Sequence, residues 1–193
     1  MLVAPSEIKP APRCHLSEHF SIVPPAGWEP KVSFSNLPLR LMAYGRLLFL
    51  PPGVGEVCLK WQIADWLEGQ SEWEIFLDLL AFRSKPTTEQ LNGLYSVLLR
   101  IPVEYVSEYS VTEYPGLGPA LVIDYNLSQV PIKGRVMYVT SPTGPFDVQI
   151  VSYEGSEPIF STYLIDALIA MDSCRQTRPL TILQSLMLPQ VGM

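Results

Sequence analysis

Apolar residues recur through residues 120–174 with two different periods, and the change of period predicts the architecture. Leu121, Val122, Ile123 and Tyr125 make a nearly unbroken apolar run over 120–127, the pattern of a short strand covered on both faces. Over 134–140, Arg135, Met137 and Val139 alternate with Val136 and Tyr138; over 146–153, Phe146, Val148 and Ile150 alternate with Asp147, Gln149 and Val151. Side chains of a strand point alternately to its two faces, so both segments read as strands. Ser141-Pro142-Thr143-Gly144-Pro145 between them fixes one backbone angle and frees another, which predicts a hairpin loop and antiparallel neighbours. From residue 159 the apolar set becomes Phe160, Tyr163, Leu164, Ala167, Leu168 and Met171, one stripe of a helix. Ser156 is its expected cap, with Glu157 and Pro158 in the first turn, where a carboxylate meets the positive end of the dipole. A helix of this kind needs a sheet to lie on, and the hairpin supplies it.

The same patterns extend towards the N-terminus. Residues 1–17 hold Pro5, Pro10 and Pro12 and read as an extended arm. Phe20-Ser21-Ile22-Val23 is a short strand, Pro24-Pro25-Ala26-Gly27 a turn, and Trp28 an aromatic re-entering a core, with 31–34 as the second half of that hairpin. Residues 37–44 are apolar but broken by Pro38 and Arg40 and receive no assignment. Residues 46–50 and 56–63 are strands joined by Pro51-Pro52-Gly53-Val54-Gly55, a run that no helix or central strand accommodates. The second sets Val57, Leu59, Trp61 and Ile63 against Cys58, Lys60 and Gln62.

Ser71 with Glu74 has the spacing of a capping box, and Trp73, Phe76, Leu79 and Leu80 follow as a helical stripe. Thr87 with Gln90 repeats the device ahead of Leu91, Leu94, Tyr95 and Leu98, until Pro102 ends the helix. Gly93 costs this second helix about 1 kcal/mol relative to alanine. Residues 103–114 alternate again, and Pro115-Gly116-Leu117-Gly118-Pro119 turns the chain into the strand at 120. Beyond Cys174 lie Leu180, Ile182, Leu183, Leu186, Met187 and Leu188, a tail so apolar that it is expected to pack back on the domain or to meet a second copy or a partner. Strands, two helices, four strands and a helix predict an α+β fold: a largely antiparallel sheet of six or seven strands covered by helices. The expected division is an arm over 1–17, one domain over 18–175 and the apolar tail over 176–193.

The succession Phe20-Ser21-Ile22-Val23-Pro24-Pro25-Ala26-Gly27-Trp28, a hairpin, two helices, Gly118-Pro119-Ala120 opening a strand, a hairpin ending near Tyr153 and a closing helix with Phe160, Leu164 and Leu168 resembles the Mog1/PsbP/DcrB group. The resemblance spans residues 18–175 and rests on order and spacing, not on diagnostic motifs. It implies an α/β/α sandwich around a curved antiparallel sheet, in proteins that act by binding others. Group members include extrinsic subunits and assembly factors of photosystem II, transport accessory proteins that bind a small GTPase, and adaptor-chaperones for secreted bacterial effectors. The chain lacks the targeting segment of lumenal members and the acidic surface run of the GTPase-binding branch, and its apolar tail is additional. The resemblance therefore carries over no functional residue.

Composition narrows the function classes. The chain is 48% hydrophobic and has 193 residues, enough for a sizeable core. Its formal charge is −6 without a basic cluster, which argues against a nucleic-acid backbone or an anionic membrane surface as partner. No apolar run reaches the roughly 18 residues of a membrane span, and Met1-Leu2-Val3-Ala4-Pro5 lacks the features of a secretory signal. With Met1 as the native start, this predicts a cytoplasmic protein. Cys14, Cys58 and Cys174 are odd in number and widely spaced, so free thiols are expected.

Catalytic signatures are absent from the sequence. His15 and His19 are the only histidines; with Cys14 they would hold zinc only if a fourth donor arrived from elsewhere, and ordinary surface or packing roles explain them. Gly-x-Ser-x-Gly and phosphate-loop patterns do not occur, and Gly116-x-Gly118 opens a strand, not a helix. The carboxylates Glu72, Glu74, Glu104, Glu108 and Glu113 are accounted for by capping and by solvated strand faces. No catalytic residue, cofactor or metal is expected. Trp61, Trp66 and Trp73 lie within thirteen residues, and two readings stand: they line a groove for a protein partner, or they fill the space between sheet and helix. Together with Leu183, Leu186 and Met187 of the tail they are the candidate partner-binding residues, the tail also being a candidate homodimer contact. The expected function is a non-enzymatic accessory, assembly or adaptor protein. The alternative is a small-molecule-binding protein or an unrecognised enzyme with a pocket between sheet and helices.

Overall fold

Alternation of apolar and polar residues becomes, in a computed structural model, a seven-stranded antiparallel sheet with helices on it. Residues 12–17, 19–32, 41–66, 70–82, 85–99, 103–127, 131–141 and 146–176 are described. The strands are β1 (Cys14–His15), β2 (Phe20–Ile22), β3 (Glu29–Val32), β4 (Leu41–Leu50), β5 (Val57–Trp66), β6 (Val106–Tyr114), β7 (Gly118–Leu127), β8 (Ile132–Thr140), β9 (Asp147–Ser156) and β10 (Arg175–Gln176). The helices are α1 (Gln70–Leu80), α2 (Thr88–Leu98) and α3 (Ile159–Asp172). The large sheet has the order β3-β4-β5-β9-β8-β7-β6, and β1-β2-β10 form a small one. The fold is α+β, as the sequence predicts.

Register sorts the described side chains of the large sheet onto two faces. Trp61 pairs with Val151, Val151 with Met137 and Met137 with Val122, so these four form a row across one face. That face is covered by Phe160, Ala167, Ala170 and Met171 of α3 and by Phe20, Ile22 and Trp28. One residue along, Ile150, Tyr138, Leu121 and Val111 form a row on the opposite face, under Phe76 and Leu80 of α1 and Leu94 and Leu98 of α2. Buried polar groups tie the layers together. The Tyr153 hydroxyl donates to the Phe160 carbonyl (2.8 Å), the Tyr138 hydroxyl to the Leu98 carbonyl (3.0 Å), and Gln149 joins the Trp61 indole (2.8 Å) to the Ser141 hydroxyl (2.9 Å).

Several local expectations are corrected by longer-range pairing. Residues 20–23 and 31–32 are not two halves of one hairpin: β2 pairs with β1 and β10, while β3 pairs with β4, and residues 33–34 lie outside the described residues. β4 takes in residues 41–44, left unassigned above, with a bulge between Ala43 and Gly45. Residues 103–105 make one 3-10 turn before β6 begins. Ser71 is no cap, since α1 is already under way at Gln70 and the Ser71 hydroxyl bonds the Glu72 carboxylate (2.9 Å). The Thr87–Gln90 capping box does form, with both of its hydrogen bonds. Ser156 belongs to β9, where it pairs with Ile132, and the capping of α3 falls to Glu157. Within the predicted arm, Cys14–His15 is a strand; residues 1–11 and the tail from 177 lie outside the described residues, as does the loop 142–145.

Candidate functional site

Helix α3 buries Phe160, Ala167, Ala170 and Met171 against the sheet. At about 100° per residue, its opposite side then consists of Ser161, Thr162, Ile165, Asp166, Ile169 and Asp172, all exposed. Ile165 and Ile169 stand one turn apart and keep 66% and 64% of their surface in contact with solvent. They are two of four large hydrophobic residues found exposed among the described ones; Phe82, after α1, and Phe146, before β9, are the others.

Each end of α3 is met by a charged side chain that suits the helix dipole. At its start the Glu157 carboxylate accepts the Ser161 backbone N–H (3.3 Å) and hydroxyl (2.8 Å) and pairs with Lys133 (2.7 Å). The Lys133 bond, then the Ser161 bond, holds the Glu157 carboxyl below the usual carboxylate range. At the other end Arg175 donates to the carbonyls of Asp172 (2.8 Å) and Cys174 (2.6 Å), and Arg13 donates to the Ser173 carbonyl (2.9 Å). Acid at the N-terminus and guanidinium at the C-terminus both complement the helix dipole. The Ser173 hydroxyl accepts the Val23 N–H (2.7 Å) and so fixes the helix end to the small sheet. Beneath it Cys174 is wholly buried, and burial pushes its thiol up, away from the reactive thiolate.

A second polar region lies on the opposite face of the sheet. Cys58, Glu154, Gly134 and Tyr125 form a row across β5, β9, β8 and β7. The Lys60 ammonium sits 2.5 Å from Glu154, with both side chains partly exposed (24% and 30%). Tyr125 is hydrogen-bonded to Glu154, and burial first, then that carboxylate, raises its hydroxyl pKa, so it remains a protonated donor. Its ring lies across Gly134, where any Cβ would collide with it, so glycine is needed there. Arg135 and Asp124 close a bidentate pair on the other face (2.7 and 2.6 Å). In each of these pairs the charge is already met by its neighbour, which describes a structural network.

The tryptophans predicted as one cluster are divided by the sheet. Trp61 packs on Phe20 (ring centroids 6.2 Å apart) under the small sheet, on the α3 side. Trp66 and Trp73 meet edge to face (5.1 Å) on the α1 side, with Phe76 against both and Phe146 over Trp73. All three tryptophans are buried, so the structure brings two of them together and lines no common groove with them. Leu183, Leu186 and Met187 lie outside the described residues. No group of three His, Cys, Asp or Glu side chains able to hold a metal occurs among the described residues, nor does a helix long and apolar enough to cross a membrane. None of the three cysteines is in a disulfide. Ile165 and Ile169 were missed by a reading that kept one stripe of α3; their signal is that both lie off that stripe and are nonetheless strongly apolar.

No protein-family model matches the chain, and no curated protein matches it. Among solved structures it is similar to LpqN, a protein involved in cell envelope biogenesis of Mycobacterium tuberculosis, at 11% identity and a TM-score of 0.41, over 82% of this chain and 91% of that one.

Proposed function

We propose that the chain is a non-enzymatic accessory, assembly or adaptor protein that docks a protein partner on the outer face of α3. The observation that carries this reading is the adjacent exposed pair Ile165 and Ile169. Aliphatic side chains repeated on the solvent side of a helix add nothing to its packing on the sheet, and contiguous exposed apolar surface is where partners bind. The resemblance to the Mog1/PsbP/DcrB group, whose members act by binding other proteins, supports the same class of role, including roles in photosystem II assembly or in secretion. The test is a photo-crosslinking residue at position 165, with one at the exposed position 90 of α2 as control, in cells of the source organism. A discrete adduct from 165 that is lost with Ile169→Lys supports the reading. Equal adducts from both positions, or none, refute it.

A further inference from the structure

We infer that residues 180–188 of the C-terminal tail add one strand to the open edge of the large sheet, antiparallel to β6. This edge is separate from the docking face on α3 and does not depend on it.

The two edges of the sheet are built differently. β3 has four residues, of which Pro30 offers no N–H and Lys31 carries a charge, both features that keep an edge from pairing further. β6 has nine residues and no proline, and among the described residues it pairs with β7 alone. Alternate N–H and C=O groups of β6 therefore point away from the sheet, a template for one more strand. Its two faces also differ. Val106, Tyr109 and Val111 are half-buried on the α1–α2 side, with the Tyr109 ring 6.1 Å from that of Tyr95, whereas Glu108, Ser110 and Thr112 are exposed on the other face.

The fold delivers the tail to this edge. The described chain ends in β10, which lies against the turn between β6 and β7: the Gln176 N–H donates to the Gly116 carbonyl (2.7 Å). The Arg175 side chain lies over Gly116, whose positive φ and lack of room for a Cβ both call for glycine. The Gln176 side-chain amide donates to the Thr140 carbonyl (3.0 Å), which holds the exit point from a second side. With the chain fixed at the Tyr114 end of β6, a strand that continues along the edge runs antiparallel to it. Residues 177–179 can span about 10 Å, roughly twice the spacing between neighbouring strands.

Length and pattern match as well. Pro179 and Pro189 bound a run of nine residues, the length of β6. Strand alternation puts Leu180, Ile182, Leu186 and Leu188 on one face, continuing the apolar row of Val106, Tyr109 and Val111. It puts Thr181 and Ser185 on the other, beside Ser110 and Thr112.

Cysteine pairing in the full chain tests this, in a Cys14→Ser/Cys58→Ser background. Ser110→Cys combined with Thr181→Cys, Leu183→Cys or Ser185→Cys should give an intrachain disulfide, the best of the three forming several-fold faster than Ile182→Cys or Gln184→Cys. Moving the partner cysteine from Ser110 to Thr112 should shift the best tail position about two residues towards Leu180, the sign of antiparallel pairing. Equal rates at odd and even positions, no disulfide, or a shift towards Leu188 overturns the inference. Disulfides that join two chains overturn it too, by putting another copy's tail on the edge. Hydrogen exchange gives a readout without cysteines. Leu183→Pro should speed exchange of alternate β6 amides about ten- to a hundredfold and leave β8 and β9 unchanged. Unchanged exchange in β6 overturns the inference.

Discussion

Helices α2 and α3 both rest on the sheet through an apolar face, but they meet solvent in different ways. The exposed positions of α2 are Thr88, Glu89, Gln90, Asn92 and Ser96, all polar. Those of α3 include Ile165 and Ile169. Full burial of an isoleucine is worth about 1.5–3 kcal/mol, so each of these two leaves most of that gain unused within the chain. Single exposed aliphatics are ordinary on any protein surface, whereas a neighbouring pair on one helix turn is a patch. The composition of α2 is explained by its own domain; that of α3 exceeds what packing on the sheet requires.

The contrast between inward and outward positions is sharpest for stability. Phe76 of α1 is wholly buried between Trp66 and Trp73, with ring centroids 5.6 and 5.5 Å away. Phe76→Ala is expected to cost about 3–5 kcal/mol, because the sheet and two tryptophans cannot collapse into the space left behind. Urea denaturation measures it, and a loss below about 1 kcal/mol would mean that the aromatic layer is not close-packed.

Capping gives a smaller effect and a second comparison of the same helices. α2 begins with a complete capping box from Thr87 and Gln90. Thr87→Ala should cost about 1 kcal/mol, visible as a lower melting temperature at unchanged helix content.

What the sequence revealed follows from how local each cause is. The capping box at Thr87 and the alternation in residues 134–140 and 146–153 act within a few residues, so elements α2, β8 and β9 were legible. Of the small sheet only β2 was legible: its strands are two or three residues long, too short for any periodicity, and β2 finds β10 at the far end of the domain. Ser71 and Ser156 fit the cap pattern, but helix entry at Gln70 and the pairing of Ser156 with Ile132 overrode it. The three tryptophans are buried, as one of the two readings had it, but they do not form one group. Strand alternation sends Trp61 and Trp66 to opposite faces, since they are an odd number of positions apart on β5. The candidate site was written in the sequence and passed over, because Ile165 and Ile169 lie outside the stripe that identified α3 as a helix.

α3 lacks a box and relies on Glu157, whose effect depends on pH. Its folded-state pKa is lowered by Lys133 and Ser161, so the folded protein binds this proton less readily than the unfolded chain. The stabilisation is therefore present above the unfolded carboxylate pKa and is lost as pH falls through the folded one. Because the group is partly open to solvent, the effect is small. Glu157→Gln should flatten the acid side of the stability profile slightly and leave α2, with its uncharged cap, unchanged. Melting curves across the acidic range check it, and an identical slope in both proteins would show that the carboxylate contributes nothing beyond its amide.

The smallest expected effect is the one that separates surface from core. Replacing Ile165 and Ile169 together by glutamine changes two large side chains near the middle of a helix, where a core position would lose several kcal/mol. Both keep most of their surface in solvent, and glutamine is at least as good a helix former as isoleucine. Stability should stay within about 0.5 kcal/mol of the original. A larger loss would show that the two isoleucines are held by intramolecular packing and would remove the reason to regard α3 as a docking face. An unchanged unfolding midpoint, combined with loss of the adduct captured from position 165, would locate their contribution between molecules.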